Sequence, residues 1–198
     1  LTMIFIAHRR NTIKDLIETD KSYGVEVDVR SKGKKLIISH DPFVDGVLFD
    51  QWIKFFNHKF LILNVKEEGL EEALLKVMKS HSIEHFFFLD QSFPYIIKYA
   101  KLGFRSCAVR LSEFETISTV LNLSGMIDWV WVDCFSVFPL DKKSIHILKE
   151  NGFKLCMVSP ELQGRNPVIE IPILKENLNS NIEHFHSVCT KRPDLWKI

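Results

Sequence analysis

The sequence predicts an α/β fold, a small (β/α)8 TIM barrel, in a single domain covering residues 1–198. Three observations carry this. Eight short apolar runs of strand length recur along the chain. Amphipathic stretches with helical spacing separate them, which points to parallel β/α architecture, and the count of eight fits a closed barrel better than an open sheet. Such barrels usually run to about 250 residues, so this chain has room only for minimal connections.

The runs are MIFIA (3–7), VEVDV (25–29), FLILNVK (60–66), HFFFLD (85–90), RSCAVR (105–110), WVWVDCF (129–135), FKLCMVS (153–159) and FHSVCT (185–190). Helical apolar spacing marks TIKDLIETDKSY, LEEALLKVMKSH, PYIIKYAKLGF, EFETISTVLNL and DKKSIHILKENGF, and Gly103 and Gly152 stand where two of these would end. LIISH (36–40) is an extra extended segment beyond the turn signal Ser31-Lys32-Gly33. The stretch 166–182 is poor in helical pattern and only PDLWKI follows the eighth run, so the last helices are expected to be reduced.

With 46% hydrophobic residues and 16 Phe, the chain can bury one substantial core. Its 26 basic and 25 acidic residues leave a net charge of +1, so no global field recommends nucleic acid or a membrane surface as partner. No apolar stretch approaches the roughly 18–20 residues of a membrane span, and no leader pattern opens the chain. A cytoplasmic protein is the expectation. Cys107, Cys134, Cys156 and Cys189 sit in or beside apolar runs without a Cys-x-x-Cys pair, which predicts buried free thiols.

In GVEVDVR (24–30), Val25, Val27 and Val29 face one side of a strand and Glu26 and Asp28 the other. Two like charges held side by side repel unless a metal ion or a basic side chain lies between them. Other run ends supply polar groups: His8 and Arg9, His40, Asn64 and Lys66, Asp90, Arg110 with Glu113, Trp131 with Asp133, and Ser159, Glu161 and Arg165. Paired histidines, adjacent carboxylates and several cations suit phosphodiester chemistry. One imidazole takes a proton from the attacking oxygen, the other gives one to the leaving oxygen, and cations neutralise charge building on phosphorus. Glu26 and Asp28 offer the hard oxygens that Mg2+ or Ca2+ prefers; Arg9 and Lys66 suit phosphate oxygens.

IAHRRNT, GVEVDVR, ISHDPF and LNVKEEG, in this order on consecutive units, resemble the glycerophosphodiester phosphodiesterase family, metal-dependent TIM barrels related to phosphatidylinositol-specific phospholipases C. The resemblance implies His8 and His40 as general acid and base, a divalent metal on Glu26 and Asp28, phosphate contacts from Arg9 and Lys66, and a small-molecule phosphodiester as substrate, with hydrolysis and cyclic-phosphate release both open. The later FFFLDQSFP, VRLSEFE, WVWVDCF, VSPELQGR and CTKRPD are similar to a compact bacterial branch associated with surface-polysaccharide genes. Asn64 departs from the family, which has a metal-binding carboxylate there, and Asp90 is an alternative source of that carboxylate. Trp131 stands either as a stacking surface or as packing at the barrel mouth. Arg110, Glu113, Glu161 and Arg165 stand either as substrate contacts or as ion pairs tying the loops together.

Overall fold

The computed structural model describes residues 3–197. Its strands are β1 (Ile4–Ala7), β2 (Gly24–Lys32), β3 (Lys35–Ile38), β4 (Val47–Leu48), β5 (Leu61–Val65), β6 (Phe86–Leu89), β7 (Ala108–Leu111), β8 (Trp129–Val132), β9 (Lys154–Val158) and β10 (Phe185–Thr190). The helices are α1 (Ile13–Glu18), α2 (Phe49–Trp52), α3 (Glu71–Ser80), α4 (Phe93–Lys101), α5 (Ile117–Leu121), α6 (Lys142–Glu150), α7 (Pro167–Leu178) and α8 (Pro193–Trp196). Eight parallel strands form a curled sheet in the order β6-β5-β2-β1-β10-β9-β8-β7. Between β6 and β7 the ladder shrinks to one parallel bridge, Phe88 with Cys107, where the Phe88 N–H donates to Ser106 O at 2.9 Å. The run LIISH becomes β3, which returns antiparallel along the projecting end of β2 with Val29 opposite Ile38.

The period-2 pattern divides the strands into two faces. Val25, Val27, Val29, Leu61, Leu63 and Val65 join the cluster under the helices. Ile6, Ile62, Phe87, Trp129, Trp131 and Cys189 fill the sheet interior. Gly24 makes room at the base of this plug, since a Cβ there would lie 2.4 Å from Ile6 Cδ1 and 2.9 Å from Phe60 Cβ. Register then places Glu26 beside Ile62 and Asp28 beside Asn64, so the polar residues cap an apolar plug. All four cysteines are buried and free, and burial pushes the Cys107, Cys134 and Cys156 thiols up to about 12.

The expectation of reduced last helices is corrected at α7, the longest helix among the described residues. Asn166 caps it, its side chain accepting the Val168 N–H at 3.0 Å, and Pro167 takes the first position. Ile171, Leu174 and Leu178 are buried at helical spacing, but Val168, Ile169 and Ile173 are exposed and Pro172 sits inside the helix, which blurs the amphipathic pattern. α8 is a single turn whose Trp196 is buried and donates to Ser159 Oγ at 2.8 Å. Among the described residues, no helix is long and apolar enough to cross a membrane.

On β10, His186 packs edge-on against Trp129, and burial followed by Lys149 and Lys154 lowers its pKa to about 4. The unfolded chain protonates this imidazole near 6.5 and the folded one near 4, so its contribution to stability is whole above 6.5 and lost as pH falls between the two. Urea unfolding at pH 7.5 and pH 4.5 should therefore show a smaller loss for His186→Phe than for the native chain. Equal losses would remove His186 from the account.

Candidate active site

The C-terminal ends of the parallel strands surround a cavity of about 200 Å³ whose walls include His8, Glu26, Asn64, Arg110, Trp131 and Lys191. β1 stops at Ala7, and Arg9 turns into the left-handed region at φ 51°, as Asp90 does after β6 at φ 60°. Non-glycine residues persist in that region where surroundings over-determine them, commonly at functional sites.

Glu26 and Asp28 are both fully buried, and what separates their charges is a mixture of amides and cations. Glu26 accepts the Arg9 backbone N–H at 2.8 Å and the Asn64 side-chain amide at 2.9 Å, with His8 Nε2 at 3.8 Å. Asp28 accepts Asn11 Nδ2 at 2.8 Å, while Arg9 Nε lies 3.6 Å and Lys66 Nζ 3.3 Å from its oxygens. Burial, then the neighbouring Asp28, raises the Glu26 pKa to about 7. His8 moves the other way: burial, then Arg9, Lys191, Lys66 and Arg10, lowers it to about 3, so its imidazole is neutral near pH 7. Asn11 exchanges two hydrogen bonds with Asp28, its side-chain N–H donating at 2.8 Å and its Oδ1 accepting the Asp28 N–H at 3.1 Å. The cap of α1 is Thr12, whose hydroxyl accepts the Asp15 N–H at 3.0 Å.

From Asp28 an ion-pair ladder follows successive strand ends. Lys66 Nζ lies 3.3 Å from Asp90 Oδ2, Arg110 pairs with both Asp90 and Asp133, and Gln163 Nε2 donates to Asp133 Oδ1 at 2.7 Å. Burial acts against the Arg110 charge, but Asp90 and Asp133 hold its pKa raised. Asp90 thus gives both oxygens to cations and reaches Asp28 only through Lys66. Trp131 is 5% exposed and packs with the interior plug, forming cavity floor.

The remaining expected residues lie elsewhere. His40 is not among the cavity-lining residues; its ring is hydrogen-bonded to Asp41 at 2.8 Å and its carbonyl is gripped by Arg30. Glu113 staples the loop after β8, accepting N–H groups of Phe135, Ser136 and Val137. Burial opposes its ionisation, but these donors outweigh it and hold the pKa at about 2. Glu161 accepts the Lys191 N–H at 2.8 Å and the Thr190 hydroxyl, and Arg165 pairs with Glu170 on α7. Glu113, Glu161 and Arg165 are therefore engaged in holding loops. Gln163 was missed and Lys191 carried no expected role; each lies just beyond an apolar run, the seventh and the eighth.

A divalent cation is chemically compatible with this donor set. Asn64 Oδ1 and Asp28 Oδ1 are buried oxygens that accept no hydrogen bond, the latter 3.3 Å from Lys66 Nζ, and the two residues are register partners on β5 and β2. Amide O and N positions are interchangeable assignments, so Asn64 can present its oxygen alongside Glu26. Among the described residues no three His, Cys, Asp or Glu side chains converge as ligands, leaving a set of two carboxylates and one amide.

No family model and no curated protein matches the sequence. Solved structures do match. A glycerophosphodiester phosphodiesterase from Agrobacterium tumefaciens is 12% identical with a TM-score of 0.68, over 98% of this chain and 99% of that one. A glycerophosphoryl diester phosphodiesterase from Parabacteroides distasonis is 11% identical with a TM-score of 0.63, over 98% of this chain and 84% of that one. The chain has, over nearly its whole length, the fold of solved glycerophosphodiester phosphodiesterases.

Proposed function

We propose that this protein is a metal-dependent phosphodiesterase acting on a glycerophosphodiester-like substrate, in a closed (β/α)8 barrel whose seam is the Phe88–Cys107 bridge. The observation that carries the reading is the convergence of His8, Glu26, Asn64 and Lys66 on one cavity at the strand ends. Glu26, Asp28 and Asn64 would hold Mg2+ or Ca2+, with Asp90 acting through Lys66. When bound, the ion supplies positive charge against the developing phosphorane and lowers the barrier to attack. Arg9 and Lys66 exchange part of their pairing with Asp28 for the phosphate's non-bridging oxygens. Neutral His8 takes the proton of the attacking oxygen, water or a substrate hydroxyl, as the new P–O bond forms. His40, whose Nδ1 faces Asp41, donates a proton to the departing oxygen as the old P–O bond breaks. Glycerophosphodiesters from phospholipid or surface-polymer turnover in the cytoplasm are the natural candidates.

Incubation with a panel of phosphodiesters, with and without Mg2+, Mn2+ and Ca2+, tests this by phosphorus NMR. The expected result is metal-dependent loss of one diester, with a cyclic or open product distinguishing lyase from hydrolase. Absence of turnover from folded protein overturns it. One second reading has an observation behind it: Asn64 replaces an anionic ligand and His40 turns to Asp41, which suits a barrel that binds a phosphorylated sugar or nucleotide-linked compound without turning it over.

A further inference from the structure

The cavity's charges are unevenly committed. Each carboxylate at the mouth has cationic or amide partners: Glu26 the Asn64 amide and the Arg9 N–H, Asp28 the Arg9 and Lys66 cations, Asp90 Lys66 and Arg110, Asp133 Arg110 and Gln163. Among the cations, Lys191 is the exception. It is exposed, lines the cavity, and its Nζ lies within ion-pair reach of no carboxylate among the described residues.

Its backbone is nevertheless fixed. The Lys191 N–H donates to Glu161 Oε1 at 2.8 Å, the Arg192 N–H donates to Thr190 Oγ1 at 2.8 Å, and the Arg192 guanidinium is taken by Asp194. A pinned backbone thus presents a free ammonium. Strand order gives its location: β10 neighbours β1 on the side away from β2 and β5, so Lys191 flanks His8 opposite the Glu26, Asp28 and Asn64 group. The part of a diester extending beyond its phosphate toward β10 meets a free cation and finds no unpaired carboxylate that would receive a quaternary ammonium.

We propose that Lys191 forms a subsite for a second anionic group, so that the preferred substrate is a diester whose further alcohol carries a phosphate or carboxylate rather than a choline-like cation. This rests on the phosphodiesterase reading above.

The test compares native protein, Lys191→Ala and Lys191→Glu on glycerophosphocholine and on glycerophosphoglycerol bearing a terminal phosphate. The native chain should favour the phosphorylated diester in kcat/KM by about tenfold, the scale of one hydrogen bond to a charged group. Lys191→Ala should lose that preference mainly through KM, and Lys191→Glu should invert it. Equal losses on both diesters, or no loss, overturn the subsite. Calorimetric binding of glycerol 3-phosphate and 2,3-bisphosphoglycerate without metal separates this failure from that of the catalytic reading. If no diester turns over but the second phosphate tightens binding to native protein and not to Lys191→Ala, the subsite stands. If it tightens neither or both, the subsite falls.

Discussion

His8→Ala will lower turnover of the preferred diester by roughly 10²–10⁴-fold, the usual worth of a positioned general base, with the loss in kcat and with thermal unfolding little changed. The expectation comes from its surroundings. The ring is mostly buried, with a side-chain exposure of 13%, and its Nε2 is 3.8 Å from Glu26. Burial and the surrounding cations lower its pKa to about 3, so it stays in the proton-accepting form at neutral pH. A group that reluctant to take a proton would be a poor base if nothing changed on binding. A phosphodiester, however, sets its own negative charge against Arg9 and Lys66, two of the cations that depress His8, and so raises its proton affinity when the proton must move. Two results are expected together: the kcat loss, and a native pH profile for kcat/KM without an inflection near 6.5 from His8. A His8→Ala protein that is folded and turns over at the native rate would end the assignment.

The strand ends were legible because period 2 is a local property. Valines at 25, 27 and 29 fix which face of β2 meets the helices, and Glu26 and Asp28 are thereby committed to the interior before any partner is known. What joins those ends was not legible. Asp90, Arg110 and Asp133 are separated by about 20 residues each, and their pairing follows from register between neighbouring strands, which no single segment encodes. Asn11 and Thr12 show the same limit at short range: a helix cap is local and Thr12 supplies it, whereas the bonds of Asn11 to Asp28 join residues 17 apart. α7 escaped for a different reason. Apolar side chains on all its faces and an internal Pro172 leave no stripe to detect, and the buried row of Ile171, Leu174 and Leu178 is recognisable only once the layer it covers is in place.

Asn64→Asp should destabilise the metal-free protein by roughly 3 kcal/mol, the lower range for breaking a buried charged pairing, or about 10 °C in Tm for a chain of this size. In the native protein the Asn64 amide donates to Glu26 Oε1 at 2.9 Å, one of the few groups opposing a carboxyl whose pKa burial and Asp28 raise to about 7. The nearly isosteric aspartate removes that donor and adds a third carboxylate to a site with two. Without a cation the three repel, and a proton must be retained on the cluster. With one, the same three oxygens become a stronger set for a hard divalent ion than the native two carboxylates and amide. Saturating Mg2+ or Ca2+ should therefore restore most of the lost stability, since an ion at 100 times its dissociation constant contributes about 2.7 kcal/mol. The native chain should gain less from the same concentration. Differential scanning calorimetry of both proteins across a metal titration reads the crossing directly. If the variant is destabilised and no divalent ion recovers it, Glu26, Asp28 and residue 64 form a hydrogen-bonded anchor for Arg9 and Lys66 rather than a metal site. Phosphate recognition would then be left to those two cations alone.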